Sequence, residues 1–310
     1  MKAIGYRKQL FVQPFDHRGS FTKSYFGYKG LPTIDPSSDL FLPVSELKTL
    51  VYRGLLRAID LGVPADRVGV LVDTQFGSQI IADARHRGIP VATCLERSSQ
   101  PIFDFEYGAH WIDHVRFVNP DILKVLVRYH PEDDPAANRE QLVRLKQISD
   151  YVHAGDAHHF MFELLVPPTT DADRAAGDAY DVERRPQLTI EAIRQIQAFG
   201  IEADIWKLEG YDRAEDAAAV AAQARAGGRD DVGSILLGRG SGFDKVAEWL
   251  RTAAPVEGFI GFAVGRTNFD APLRAYLEAP SDEAATTAID AIAHNYKRCV
   301  DLWLEHAGNA

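Results

Sequence analysis

Cysteine is nearly absent: Cys94 and Cys299 are the only two in 310 residues. That excludes a disulfide framework and a cysteine-rich zinc site. Positive charge is short as well. The chain has 34 Lys and Arg against 44 Asp and Glu, a net charge of −10. Such a surface repels a phosphate backbone, so nucleic acid is not an expected partner. No run approaches the roughly 20 apolar residues that span a bilayer. The opening MKAIGYRKQLFVQPFDHRGS meets charge too early for a signal h-region. A cytoplasmic protein with no membrane partner is the expectation. There is also no low-complexity linker and no shift of composition, so 1–310 reads as one domain.

What the chain does have is a repeated unit. Hydrophobic residues make up 46% and charged residues 25%, ordinary for a globular fold. Short, continuous apolar runs occur at 10–18, 68–77, 90–96, 122–130, 159–167, 203–210, 232–240 and 259–267. Continuous runs of this length suit strands buried on both faces. Helical patterns lie between them, among them 44–60, 138–153, 214–228 and 244–254, and a last helix is expected near 282–306. Eight strands, each followed by a helix, predict an α/β fold of the (β/α)8 TIM-barrel type. The runner-up is a doubly wound open sheet, and the lack of GxGxxG after the first run weakens its dinucleotide-binding form.

In a barrel the chemistry sits at the C-terminal ends of the strands, and that is where the charges fall. They are Asp16, His17 and Arg18 in the first run, Asp73 in the second and Glu96 in the third. Lys124 and Arg128 follow in the fourth, Glu163 in the fifth, Lys207 and Glu209 in the sixth, Arg239 in the seventh and Arg266 in the eighth. Charge in a buried strand is costly unless paired. Ion pairing accounts for one or two such residues; an active site accounts better for a ring of them.

Lys124 and Lys207 stand out because each is flanked by apolar residues. Desolvation lowers a lysine's pKa toward the range where a free amine can attack a ketone and form a Schiff base. Two neighbouring lysines would depress each other further. The alternative is a lysine neutralised by a strand carboxylate such as Glu163 or Glu209. Period-2 alternation places Lys207 and Glu209 on one face, and Glu163 on the matching face of the preceding strand. Glu163 is therefore the expected proton shuttle. The last two strands end in Gly238-Arg239-Gly240 and Gly265-Arg266. Bare backbone N–H groups, a helix start and a guanidinium fork predict a phosphate or other oxyanion there.

These segments resemble a known family. FDHRGSF (15–21), FDFEYG (103–108), LKVLVRYHPE (123–132), MFELLVPPT (161–169), AIRQIQAFGIEADIWKLEG (192–210), ILLGRG (235–240) and GFIGFAVGRTNF (258–269) carry the likeness. They resemble the aldolase-type domain (DUF2090) that follows the sugar kinase in bacterial inositol-catabolism 5-dehydro-2-deoxygluconokinase proteins. That domain is similar to class I tagatose-bisphosphate aldolases. The resemblance implies a metal-independent Schiff-base aldolase that needs no cofactor. It would cleave 2-deoxy-5-keto-gluconate 6-phosphate to dihydroxyacetone phosphate and malonate semialdehyde. It further implies Lys207 as Schiff-base former, Glu163 as proton shuttle, and catalytic places for Lys124 and Asp16. Arg266 falls on the phosphate ligand. Arg18, Arg128, His17, Glu96 and Glu209 complete the expected substrate-binding set with Gly238, Arg239, Gly240 and Gly265. Strand one reads DHRGS where Asp-Gln-Arg is expected, so His17 marks a different head group. Another phosphorylated or sulfonated ketose, or a short keto acid, is the alternative substrate.

Two other readings stay open. A metal-dependent lyase would use His17, Glu96, Glu163 and His130. A non-catalytic phosphosugar sensor would bind without turnover. Trp111, Trp249 and Trp303 read as core or interface anchors, and Cys94 as a structural thiol in mid-strand. The charged stretch 171–185 is either a solvated helix or a flap over the site. A homo-oligomer is compatible with the sequence.

Overall fold

The computed structural model describes residues 3–31 and 38–308; the two ends of the expected 1–310 domain lie outside them. In chain order the elements begin with β1 (Leu10–Pro14), α1 (Gly19–Phe26), α2 (Phe41–Asp60), β2 (Val68–Leu71), α3 (Ser78–His86) and β3 (Val91–Cys94). Next come α4 (Trp111–Val118), β4 (Ile122–Arg128), α5 (Pro135–His153), β5 (His159–Leu165), α6 (Asp171–Ala176), α7 (Arg185–Ala198) and β6 (Ile205–Glu209). The chain ends with α8 (Ala214–Arg225), β7 (Gly233–Leu237), α9 (Phe243–Ala253), β8 (Phe259–Ala263), α10 (Arg266–Glu278) and α11 (Asp282–His306). Each strand pairs in parallel with the next, and β8 returns to β1 to close the barrel. This is a (β/α)8 TIM barrel.

Side-chain alternation sets what lies inside it. Leu10, Val12, Leu71, Ala92, Ile122, Met161, Ile205, Ile235 and Ala263 form an apolar plug within the strands. Two residues further along β4, β5 and β6, the same inward face carries Lys124, Glu163 and Lys207. The plug therefore becomes the floor of a polar layer. The opposite faces of the strands pack under the helices in a second, larger core that includes Trp111, Trp249 and Trp303.

Outside the barrel, α11 lays Ile289, Ile292, Tyr296, Val300 and Trp303 on the core at helical spacing. The Tyr296 hydroxyl donates to the Phe11 carbonyl at 2.6 Å. Gly54 of α2 lets α11 come close, since a Cβ there would lie 2.4 Å from Ile292 Cγ2.

The stretch 171–185 is folded. It runs from α6 through a 3-10 turn (Gly177–Ala179) and a π turn (Tyr180–Arg184) into α7. It is tied down by the Tyr180 hydroxyl on the Val166 carbonyl (2.8 Å) and by buried Asp173 against His130 Nε2 (2.8 Å). Among the described residues no helix is long and apolar enough to cross a membrane.

Candidate active site

The strands are shorter than the apolar runs, and this places the charges. Asp16, His17 and Arg18 lie just past β1, Glu96 just past β3 and Arg239 just past β7, while Arg266 opens α10. Lys124, Glu163, Lys207 and Glu209 stay within strands. The β5–β6 register sets Glu163 directly beside Lys207.

Five of these side chains converge. Lys124 Nζ lies 2.9 Å from Asp16 Oδ2, 2.7 Å from Glu96 Oε1 and 2.8 Å from Glu163 Oε2. The last is a charge contact without the angle of a good hydrogen bond. Glu163 Oε1 lies 2.6 Å from Lys207 Nζ. Lys124 and Lys207 are 1% and 5% exposed, so these pairs act in a poorly screened interior.

The two lysines differ in their surroundings. Burial alone would push Lys124 down, but Asp16, Glu163 and Glu96 outweigh it and hold the ammonium well above its ordinary value. The expectation that desolvation and a neighbouring lysine would free this amine is thereby corrected. Three carboxylates win over burial. Burial pushes Asp16 and Glu163 up, but the lysine charges outweigh it and leave both carboxyls below their usual range. At Glu96 burial wins over Lys124, and the carboxyl is raised. Burial also depresses His17 to about 4, against the pull of Asp16, so its imidazole is neutral at pH 7.

Two joined cavities open above this layer. One, of about 180 Å³, is lined by Asp16, Arg18, Cys94, Glu96, Lys124 and the segment 97–103. The other, of about 440 Å³, reaches Glu209, the 238–240 turn, Gly265 and Arg266. His17, Ser20, Leu126, Arg128, Glu163 and Lys207 line both, so the Lys207–Glu163 pair stands at the junction.

The expected anion ligands are not equally available. Arg18 is bound to Glu106 (3.0 Å) and to the Glu96 carbonyl (2.8 Å), clasping the loops after β1 and β3. Arg239 pairs with Glu209 (3.1 Å) and with Asp181 of the 171–185 segment (2.7 Å). Glu209 also accepts from the Val166 N–H at 3.1 Å. Arg266 donates to the Arg239 carbonyl at 2.9 Å and lies over Gly240, with no carboxylate partner among the described residues.

One residue of the site was missed from the sequence. Lys48 of α2 is buried and donates to the carbonyls of Phe15 (2.7 Å) and His17 (2.9 Å) and to Asp73. It fixes the loop that carries Asp16 and His17. Its signal was a lysine on the apolar face of a helix, between Val44 and Val51. Cys94 ends β3 and faces the smaller cavity, where a purely structural thiol in mid-strand was expected. Burial pushes that thiol up, so it is not a thiolate nucleophile.

For a metal, Asp16, Cys94 and Glu96 bring ligand atoms within 4.8 Å of one another. The cation between the two carboxylates is already the Lys124 ammonium. His130, expected in the metal reading, lines neither cavity and lies against Asp173 at 2.8 Å.

The barrel thus buries a Lys–Glu–Lys chain at its strand ends. The chain belongs to the family described as an uncharacterized protein conserved in bacteria (DUF2090), which matches residues 5–307. No curated protein matches it. Among solved structures it is similar to fructose-bisphosphate aldolase from Plasmodium falciparum in complex with TRAP and a small-molecule inhibitor. That likeness has TM-score 0.67 and 10% identity over 98% of this chain and 93% of that one. Fructose-bisphosphate aldolase from Slackia heliotrinireducens DSM 20476 gives TM-score 0.56 and 13% identity over 97% and 87%. An archaeal fructose 1,6-bisphosphate aldolase gives 0.54 and 12% over 94% and 95%. At these identities the likeness is one of fold.

Proposed function

We propose that the protein is a class I aldolase, an aldehyde-lyase that works through a Schiff base on a phosphorylated keto-sugar acid. The substrate proposed is 2-deoxy-5-keto-gluconate 6-phosphate, cleaved to dihydroxyacetone phosphate and malonate semialdehyde. One observation carries the reading: among the described residues Lys207 faces a single carboxylate, Glu163, while Lys124 is clamped by three. A lysine with one partner can hand over its proton and become a nucleophile; a lysine held by three stays charged. The family resemblance and the aldolases among the similar structures support the same class.

In this mechanism Glu163 takes the proton from Lys207, and the amine adds to the ketone carbon. Glu163 returns the proton to the departing water as the iminium forms. A base then removes the proton of the hydroxyl on the far side of the scissile bond, and the bonding pair flows into the iminium. An aldehyde leaves and an enamine remains. Protonation of the enamine carbon and hydrolysis restore the amine. Lys124 supplies a fixed positive charge beside the reacting atoms. Arg266, Gly240 and the start of α10 hold the phosphate.

Mass spectrometry after borohydride reduction with dihydroxyacetone phosphate tests this. The expected adduct sits on the Lys207 peptide and is lost in Lys207→Ala but not in Lys124→Ala. An adduct on Lys124 would move the nucleophile and keep the reaction class. The absence of any adduct would overturn the reading.

A further inference from the structure

The charges that line the joined cavities can be accounted for one by one. Arg18 is neutralised by Glu106, and Arg239 by Glu209 and Asp181. Arg97, on the loop after β3, has Asp104 at 3.6 Å. Lys124 and Lys207 share Asp16, Glu96 and Glu163. His17 is uncharged at neutral pH. Among the described residues two of these cations have no carboxylate partner: Arg266 at one end of the larger cavity and Arg128 at the end of β4. Arg128 lines both cavities, and no hydrogen bond or ion pair engages its exposed guanidinium among the described residues. It lies on the same inward face of β4 as Lys124, nearer the mouth. The reacting pair Lys207–Glu163 lies on the wall shared by the two cavities.

Backbone donors distinguish the two ends. Around Arg266 the glycine-rich 238–242 turn and the first turn of α10 accompany the guanidinium. Around Arg128 three of the following N–H groups are already engaged. Tyr129 N–H bonds the Leu165 carbonyl, Glu132 N–H bonds His130 Nδ1, and Asp133 N–H bonds the His130 carbonyl. Pro131 and Pro135 have no N–H, and the Asp134 side chain caps α5 through the Ala136 N–H. A phosphate dianion is normally held by several backbone donors as well as a cation. A lone planar fork matches the two oxygens of a carboxylate.

We infer that Arg128 is the specificity residue for a second acidic group on the substrate, a carboxylate, at the end of the molecule remote from the phosphate. This rests on the aldolase reading for the direction in which the substrate lies, with its ketone at Lys207. It makes the substrate a phosphorylated sugar acid rather than a sugar bisphosphate.

Matched, unreactive probes test the inference by calorimetry. 6-Phosphogluconate and glucitol 6-phosphate share a phosphate and six carbons and differ in carboxylate against hydroxymethyl. The native chain is expected to bind the acid about tenfold or more tightly, the size of a charge-assisted fork. Arg128→Gln should erase that preference and keep the affinity for glucitol 6-phosphate. Arg266→Gln should weaken both probes together. Equal binding of the two probes by the native chain, a preference that survives Arg128→Gln, or binding of neither would overturn the inference. So would tighter binding of glucitol 1,6-bisphosphate than of the acid. The borohydride adduct on Lys207 is read separately: an adduct without discrimination sinks this inference alone, and discrimination without an adduct sinks the Schiff-base reading.

Discussion

Glu163 touches both buried lysines, with Oε1 2.6 Å from Lys207 and Oε2 2.8 Å from Lys124. One carboxylate thus links the group proposed to lose its proton to a group that keeps it. Lys124 biases Glu163 toward the ionised form, ready to accept from Lys207.

Glu163→Gln keeps the shape and removes the base. Turnover is expected to fall by roughly 10²–10⁴-fold, the usual reach of a positioned acid–base group. The borohydride adduct should still appear on Lys207, but slowly. The check is the rate of adduct formation at a fixed concentration of dihydroxyacetone phosphate. An unchanged rate would remove Glu163 from the proton path.

The lysines should separate by stability. Lys124→Met leaves Asp16, Glu96 and Glu163 facing one another without their shared cation. Breaking a buried ionic cluster in this way typically costs about 3–5 kcal/mol. Lys207→Met leaves Glu163 still paired with Lys124 and should cost less. Urea unfolding of the two variants checks the order. A Lys207→Met variant less stable than Lys124→Met would contradict the clamp described here.

Much of this was legible in the sequence because apolar runs and helical periodicity are local. The strands fall inside the eight runs, and the last helix occupies 282–306 as expected. The convergence of Lys207 with Glu163 followed from alternation and strand adjacency alone. Partners brought by distant elements were not legible. Arg18 and Arg239 look free in the sequence, and only the folded chain brings Glu106 and Asp181 to them. Lys124 looked like a candidate free amine because its flanks are apolar. The carboxylates that keep it charged come from β5 and from the loops after β1 and β3. The 171–185 segment was ambiguous because its anchors, Val166 and His130, lie on the neighbouring strand loops.

Acid should weaken the fold through His17. The unfolded chain protonates this residue near its ordinary 6.5, the folded chain only near 4. Between those values the unfolded state binds more protons, so stability rises with pH and is lost as pH falls from 6.5 toward 4. Below about 4 both states are protonated and the contribution levels off. Asp16, Glu163, Lys207 and Arg266 are the charged groups whose fields reach the ring. His17→Asn should therefore flatten the dependence of the urea midpoint on pH between 5 and 6.5. An unaltered slope there would mean that His17 is not held neutral.

Gly240 ties backbone geometry to the phosphate end of the site. Its φ is +76°, and a Cβ would lie 2.6 Å from the Arg266 guanidinium. Gly240→Ala should cost about 1–2 kcal/mol of stability from the left-handed backbone and displace Arg266 as well. Gly88 is the matched control, with φ +73° and nothing within 4 Å of the added carbon. Gly88→Ala should lose similar stability and leave the site alone. The readout is the concentration of dihydroxyacetone phosphate that half-saturates borohydride trapping on Lys207. It should rise about tenfold or more in Gly240→Ala, the loss of one charge-assisted contact, and stay put in Gly88→Ala. If both variants leave it unchanged, the phosphate does not sit at Arg266; if both raise it equally, the effect is global loosening.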